Sequence, residues 1–149
     1  MLNPGEARHR FEYARAAYLA TLSPADGPSA APRPHIVPVT FALSGDELVT
    51  IIDHKPKTTD NLQRLRNIDA EPQVSLLIDY YNEDWHRLWW ARADGIAVVM
   101  PPTAPDYSRL RSFLVEKYPQ YQAELPSGQL IRVAVHRWSG WAAAVDDED

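Results

Sequence analysis

The sequence predicts a mainly β fold of the α+β class, an antiparallel barrel or sheet with helices packed on it. Short segments of period-two alternation recur, joined by turn signals such as Ser44, Gly45 and Asp46. The predicted order is helix, three strands, helix, two strands, helix, strand, which argues against a doubly wound parallel sheet. A length of 149 residues, 45% hydrophobic and 23% charged, suits one domain with its own core. We expect that domain over residues 1–145, followed by a solvated acidic tail at 146–149.

Asn3 before Pro4 reads as a cap and first-turn proline, with Glu6 placed to suit the helix dipole. Ala7, Phe11, Ala14 and Tyr18 continue the helical spacing, which predicts a helix over 4–17. Residues 18–23 read as a strand, and 24–34 as a loop with its turn at Asp26 and Gly27. Residues 35–43 alternate, with Val37, Val39, Phe41 and Leu43 forming an apolar face, which predicts one strand. Residues 47–53 return from the hairpin. Pro56 excludes a regular ladder at 54–57. Thr58 or Thr59 then caps a helix carrying Leu62, Leu65 and Ile68, ended by Pro72. The near-continuous apolar run at 74–81 predicts a strand buried on both faces. A turn at 82–87 leads to a long strand at 88–100, broken near Asp94 and Gly95. A helix over 104–117 and a last strand over 130–145, bent at Gly140, complete the chain.

Composition excludes several classes. There is no cysteine, so there is no disulfide scaffold, thiol nucleophile or thiolate metal site. No apolar run spans a membrane, and the first residues lack the apolar core of a secretion signal, so a cytoplasmic protein is expected. The formal charge is −5, but Asp146, Asp147, Glu148 and Asp149 carry most of it. The near-neutral body argues against nucleic acid as a partner. The five histidines show neither the helical pair spacing nor the HExxH pattern of a zinc site, so no metal is expected.

Two constellations carry chemistry. Residues 54–59, HKPKTT, place Lys55 and Lys57 beside Thr58 and Thr59 at the start of a helix with free N–H groups. That pattern suits an anion, a phosphate or phosphodiester, although a solvated basic turn has the same composition. Residues 79–95 set Arg87 and Arg92 among Tyr80, Tyr81, Trp85, Trp89 and Trp90. Such a segment stacks a planar ligand or forms a dimer interface. Strand alternation puts Trp89 on one face and Trp90 on the other. His35 and Tyr80 are the candidates for acid–base work.

The segments VPVTF, DHKPKTT, Asn67 to Leu77, NEDW and RWSGW together resemble the pyridoxamine 5'-phosphate oxidase-like superfamily. Within it, the likeness is to its actinobacterial, coenzyme F420 (deazaflavin)-dependent subfamily. The resemblance covers residues 8–145. It implies a split β-barrel with flanking helices and a homodimer with cofactor sites at the subunit interface. It implies a flat ring lying on residues 38–40 and 50–53, which brings in Pro38, Val39, Thr40, Ile52, Asp53 and His54. It implies a phosphate on Lys55, Lys57 and Thr58, and an aromatic wall of Trp85, Arg87 and Trp89 from the partner chain. Trp138 and Trp141, around Ser139 and Gly140, are expected to close the barrel and buttress the dimer. The implied activity is F420-dependent hydride transfer to a small unsaturated or planar substrate. FMN-dependent oxidation or reduction on the same fold, or cofactor carriage without turnover, are the alternatives. The acidic end at 146–149 departs from the basic, substrate-binding end of the pyridoxamine phosphate oxidases proper.

Overall fold

The computed structural model describes residues 1–25, 30–52 and 59–144, with the backbone alone for residues 59–62. The predicted turn at Asp26 and Gly27, the basic segment Asp53, His54, Lys55, Lys57 and Thr58, the side chains of Thr59 and Leu62, and the acidic tail lie outside the described residues.

Helix α1 (Pro4–Tyr13) begins on a reciprocal cap. The Asn3 side chain accepts from the Glu6 N–H at 2.9 Å, and the Glu6 carboxylate accepts from the Asn3 N–H at 3.3 Å. The helix ends four residues earlier than its periodicity predicts, because Ala17 already pairs in a sheet. Seven strands follow: β1 (Ala17–Ser23), β2 (Arg33–Val39), β3 (Ala42–Ser44), β4 (Glu47–Ile51), β5 (Gln73–Tyr80), β6 (Trp89–Met100) and β7 (Leu130–Ala142). Helix α2 (Thr59–Ala70) precedes β5, and α3 (Tyr107–Lys117) and the short α4 (Pro119–Ala123) precede β7. Helix α4 has no counterpart in the sequence reading.

All the ladders are antiparallel, and the spatial order is β2-β1-β5-β6-β7-β4-β3. The two ends of that order, β2 and β3, are separated in the chain by Thr40 and Phe41 alone. Three residue steps span at most about 11 Å, so the sheet must curl until its edges nearly meet. The predicted strand over 35–43 is therefore two strands that leave each other at a barrel seam.

The barrel interior holds Leu19, Phe41, Leu48, Leu76, Ile131 and Val133, all fully buried. Helix α1 closes one end with Phe11, whose ring meets Phe41 and Trp138 edge-on at 5.7 and 5.3 Å. Helix α2 closes the other with Ile68 and the buried Asn67, whose amide donates to Thr21 Oγ1 at 3.0 Å. Helix α3 covers the outside of β3, β4 and β7 through Leu110 and Leu114 against Val49, Ile51 and Leu130. Strand β5 is buried on one face only. Val74, Leu76 and Ile78 turn inward while Leu77 stays exposed, so its apolar run does not mean two covered faces.

Gly45 and Gly95 are among the glycines that the geometry requires. Gly45 takes φ +62° in the β3–β4 hairpin. A Cβ on Gly95 would sit 2.5 Å from the Ala134 carbonyl. There β7 carries one extra residue, His136, between the Asp94–Arg137 and Gly95–Val135 pairs.

Candidate functional site

That bulge decides which tryptophans face outward. Before it, odd-numbered β7 residues such as Ile131 and Val133 point into the barrel. After it, the even ones do. Trp138 packs inside against Phe11 and donates from Nε1 to Asp46 Oδ1 at 2.9 Å. Trp141 turns outward, opposite Trp90 on β6. The expectation that Trp138 helps close the barrel holds. Trp141 instead joins Trp90 on the outer face.

Trp90 and Trp141 line an open groove of about 430 Å³ with Leu77, Tyr81, Leu88 and Arg92. Its size and apolar character fall in the range of small-molecule sites. Arg92 lies over the Trp90 ring, 5.8 Å from guanidinium carbon to centroid. Its Nε donates to Asp94 Oδ2 at 3.3 Å, and Ser75 Oγ donates to Asp94 Oδ1 at 2.6 Å. The guanidinium is thus held in place from beneath. Ser139, opposite Arg92, is buried, and its hydroxyl has no hydrogen-bond partner among the described residues.

Register extends this face across the sheet. Pro38, Tyr18, Leu77, Arg92 and Ser139 occupy one row from β2 to β7. Tyr18 and Leu77 in this row, and Ile36 in the next row of the same face, are exposed apolar residues. A contiguous apolar sheet face of this kind marks a binding surface.

The expected site residues divide. Pro38 lies on this outer row. Val39 and Ile52 are core residues. Thr50, 1% exposed, sits in the core with its hydroxyl unpartnered among the described residues. Thr40, at the seam, shares a 2.8 Å hydrogen bond with the Tyr121 hydroxyl. Trp85 and Arg87 form an exposed single-turn helix, and Trp85 is 67% exposed. Trp89 turns to the core side, stacked on Tyr80 at 6.4 Å and covered by the Arg10 guanidinium at 4.6 Å, and both rings also line the groove. His35 is half-buried in β2 opposite Thr21, and the Tyr80 hydroxyl accepts from the Asn82 amide at 2.9 Å. The structure does not bring these two together. Asp53, His54, Lys55, Lys57 and Thr58 lie outside the described residues.

Sequence reading missed the seam. The Tyr118 hydroxyl accepts from the Phe41 N–H at 3.1 Å and lies 3.0 Å from the carbonyls of both Phe41 and Arg15. Burial pushes this hydroxyl above its usual pKa, more than its bond to the Phe41 backbone lowers it. Lys117 Nζ donates to the same Phe41 carbonyl at 2.9 Å. No motif announces these contacts, since they join positions more than 70 residues apart.

Among the described residues, no helix is long and apolar enough to cross a membrane. No curated protein matches the chain. Several solved structures share its fold. A conserved hypothetical protein from Mycobacterium tuberculosis is 19% identical with a TM-score of 0.69, covering 96% of this chain and 86% of that one. An FAD-binding protein from Mesorhizobium loti is 19% identical with a TM-score of 0.66, covering 93% and 94%. A heme storage protein from Vibrio cholerae is 16% identical with a TM-score of 0.65, covering 95% of both chains. At these identities the likeness is one of fold. The sequence itself matches the pyridoxamine 5'-phosphate oxidase family over residues 4–142, and the chain belongs to that family.

Proposed function

We propose that residues 1–145 form the single cofactor-binding unit of an oxidoreductase, and that its cofactor is the deazaflavin F420, held between two copies of the chain. What carries the reading is the outer sheet face: an apolar floor of Trp90 and Trp141, a fixed Arg92 and the Ser139 hydroxyl, unpartnered among the described residues. This donor set suits a flat ring with polar edges. In this reading Pro38, Val39, Thr40, Ile52, Asp53 and His54 shape the ring's bed. Lys55, Lys57 and Thr58 hold the phosphodiester by charge-assisted bonds. Trp85, Arg87 and Trp89 of the second copy close the site. The exposed apolar residues Tyr18, Ile36 and Leu77 give that copy a surface to cover.

The bound cofactor supplies the hydride chemistry. The chain's residues bind and orient the ring, exclude water and admit a small planar or unsaturated substrate. A second reading, FMN or FAD in the same place, is favoured by the FAD-binding relative from Mesorhizobium loti. A carrier role without turnover is favoured by the heme storage relative from Vibrio cholerae. Titration of the purified protein with F420 and with FMN, followed by tryptophan quenching, tests these readings. We expect saturable quenching by F420. Stronger binding of FMN selects the second reading, and no saturation with either overturns both. Tight F420 binding with no oxidation across a broad acceptor panel selects carriage. Sedimentation equilibrium tests the dimer.

A further inference from the structure

We propose that the outer groove admits a planar conjugated carboxylate with an N–H donor at its far end, Arg92 reading the carboxylate and Asp79 the donor. This rests on the proposed oxidoreductase site and names the class of substrate that such a site takes. The floor of Leu77, Trp90 and Trp141 is apolar, and its volume of about 430 Å³ suits a flat ring. An apolar floor alone accepts any such ring, so the polar groups beside it decide which. The same outer row continues to Pro38 on β2, so the face is wider than the groove, and cofactor and substrate can share it.

The Arg92 end is built to take an anion. Asp94 accepts from Arg92 Nε, and its other oxygen accepts from Ser75. The terminal N–H groups of Arg92 have no acceptor among the described residues. Fixed over the Trp90 ring, that edge of the guanidinium matches the two oxygens of a carboxylate. Across the ladder, the Ser139 hydroxyl is buried and unpartnered among the described residues, so polar capacity gathers at this end. Arg137, opposite Asp94, adds a second positive charge there.

The Asp79 end has the opposite character. Asp79 stands across from Trp90, as Leu77 does from Arg92, and the strand period puts all four on the outer face. Asp79 is exposed, lines the groove and has neither a hydrogen bond nor an ion pair among the described residues. Diagonal neighbours of this kind lie about 7–8 Å apart, and Asp79 and Arg92 do not pair. A cation and an anion held apart beside one aromatic floor select a ligand of reversed order: acceptor oxygens toward Arg92, an N–H toward Asp79. The Asp79 charge also repels a second carboxylate, which discriminates against rings with an acid at both ends. Asp94 repels less, because Arg92 and Ser75 engage both its oxygens.

Calorimetric titration of the full chain, without cofactor, compares 4-aminocinnamate with cinnamate and with methyl 4-aminocinnamate. We expect 4-aminocinnamate to bind at least about tenfold more tightly than the ester, which lacks the charge. It should bind at least about threefold more tightly than cinnamate, which lacks the donor. Arg92→Gln should abolish the first preference and Asp79→Asn the second, each leaving the other in place. Asp79 is exposed, so its variant keeps the fold, and that arm stands even if Arg92→Gln fails to fold. Equal affinity for the three probes, or a preference that survives its substitution, overturns the proposal. With no cofactor present, that failure is a separate result from a failure of F420 to bind.

Discussion

At the barrel seam, Tyr118 is buried, and its hydroxyl reaches the backbone of Arg15 and Phe41. Tyr121 bonds Thr40, and Phe41 is sealed between Phe11 and the Lys117 amine. At the outer groove, Tyr81 and Trp141 are exposed, Trp90 has Arg92 above it, and the Ser139 hydroxyl is unpartnered among the described residues. Both regions combine aromatic rings with basic side chains. The first has its polar atoms satisfied within the chain and joins two sheet edges. The second leaves apolar area and polar capacity open. Composition does not separate structure from binding here; the state of the partners does.

The comparison breaks if the seam is dispensable. Tyr118→Ala removes a buried ring and the bonds that hold Phe41, so we expect a loss of about 3–5 kcal/mol in urea unfolding. A loss below about 1 kcal/mol would mean that the seam does not depend on it. The next largest effect is on the binding side. Replacing Lys55 and Lys57 together by alanine should weaken cofactor binding by about 2–4 kcal/mol. The urea midpoint should hardly move, because solvated charges, the setting the sequence predicts for both lysines, contribute little to stability. Unchanged affinity would reject the phosphate role.

Trp90→Ala sharpens the contrast at the groove. Loss of one stacking platform should cost about 1 kcal/mol of cofactor affinity, read by titration calorimetry. Lys117 supplies a pH signature at the seam. Its folded-state value of about 8 lies below the unfolded 10.5, so the unfolded chain binds more protons between those values. Stability relative to Lys117→Met should therefore rise as pH climbs from about 8 toward 10, and the full penalty should apply below 8. Solvent screening of this half-exposed amine holds the effect to about 1 kcal/mol. A flat difference between the two proteins across that window would contradict the assignment. The smallest effect belongs to Trp85→Ala. With its ring 67% exposed, stability should change by no more than about 0.5 kcal/mol, whatever happens to cofactor affinity.

Much of the architecture was legible because it is local. The cap at Asn3, the turn at Gly45, the alternation of Val37 and Val39 and the helical spacing of Leu110 and Leu114 are each set within a few residues. The irregularity near Asp94 and Gly95 was also visible, since glycine interrupts a strand. The errors arose where distant segments meet. The helix over 4–17 stopped at Tyr13 because β1 needs Ala17 for the sheet. The strand over 35–43 split because its halves serve opposite edges.

The sequence by itself determined the antiparallel, hairpin-linked character of the fold, the cap of its first helix and the presence of an aromatic and basic segment. Those properties follow from side-chain period and turn chemistry. Tertiary structure alone decided that β2 and β3 meet at a seam, and that Trp138 lies inside while Trp141 lies outside. The physical reason is the period of two in a strand: one extra residue, His136, reverses every side chain after it. Where that residue is accommodated depends on the partner strand, through the close approach of Gly95 to the Ala134 carbonyl.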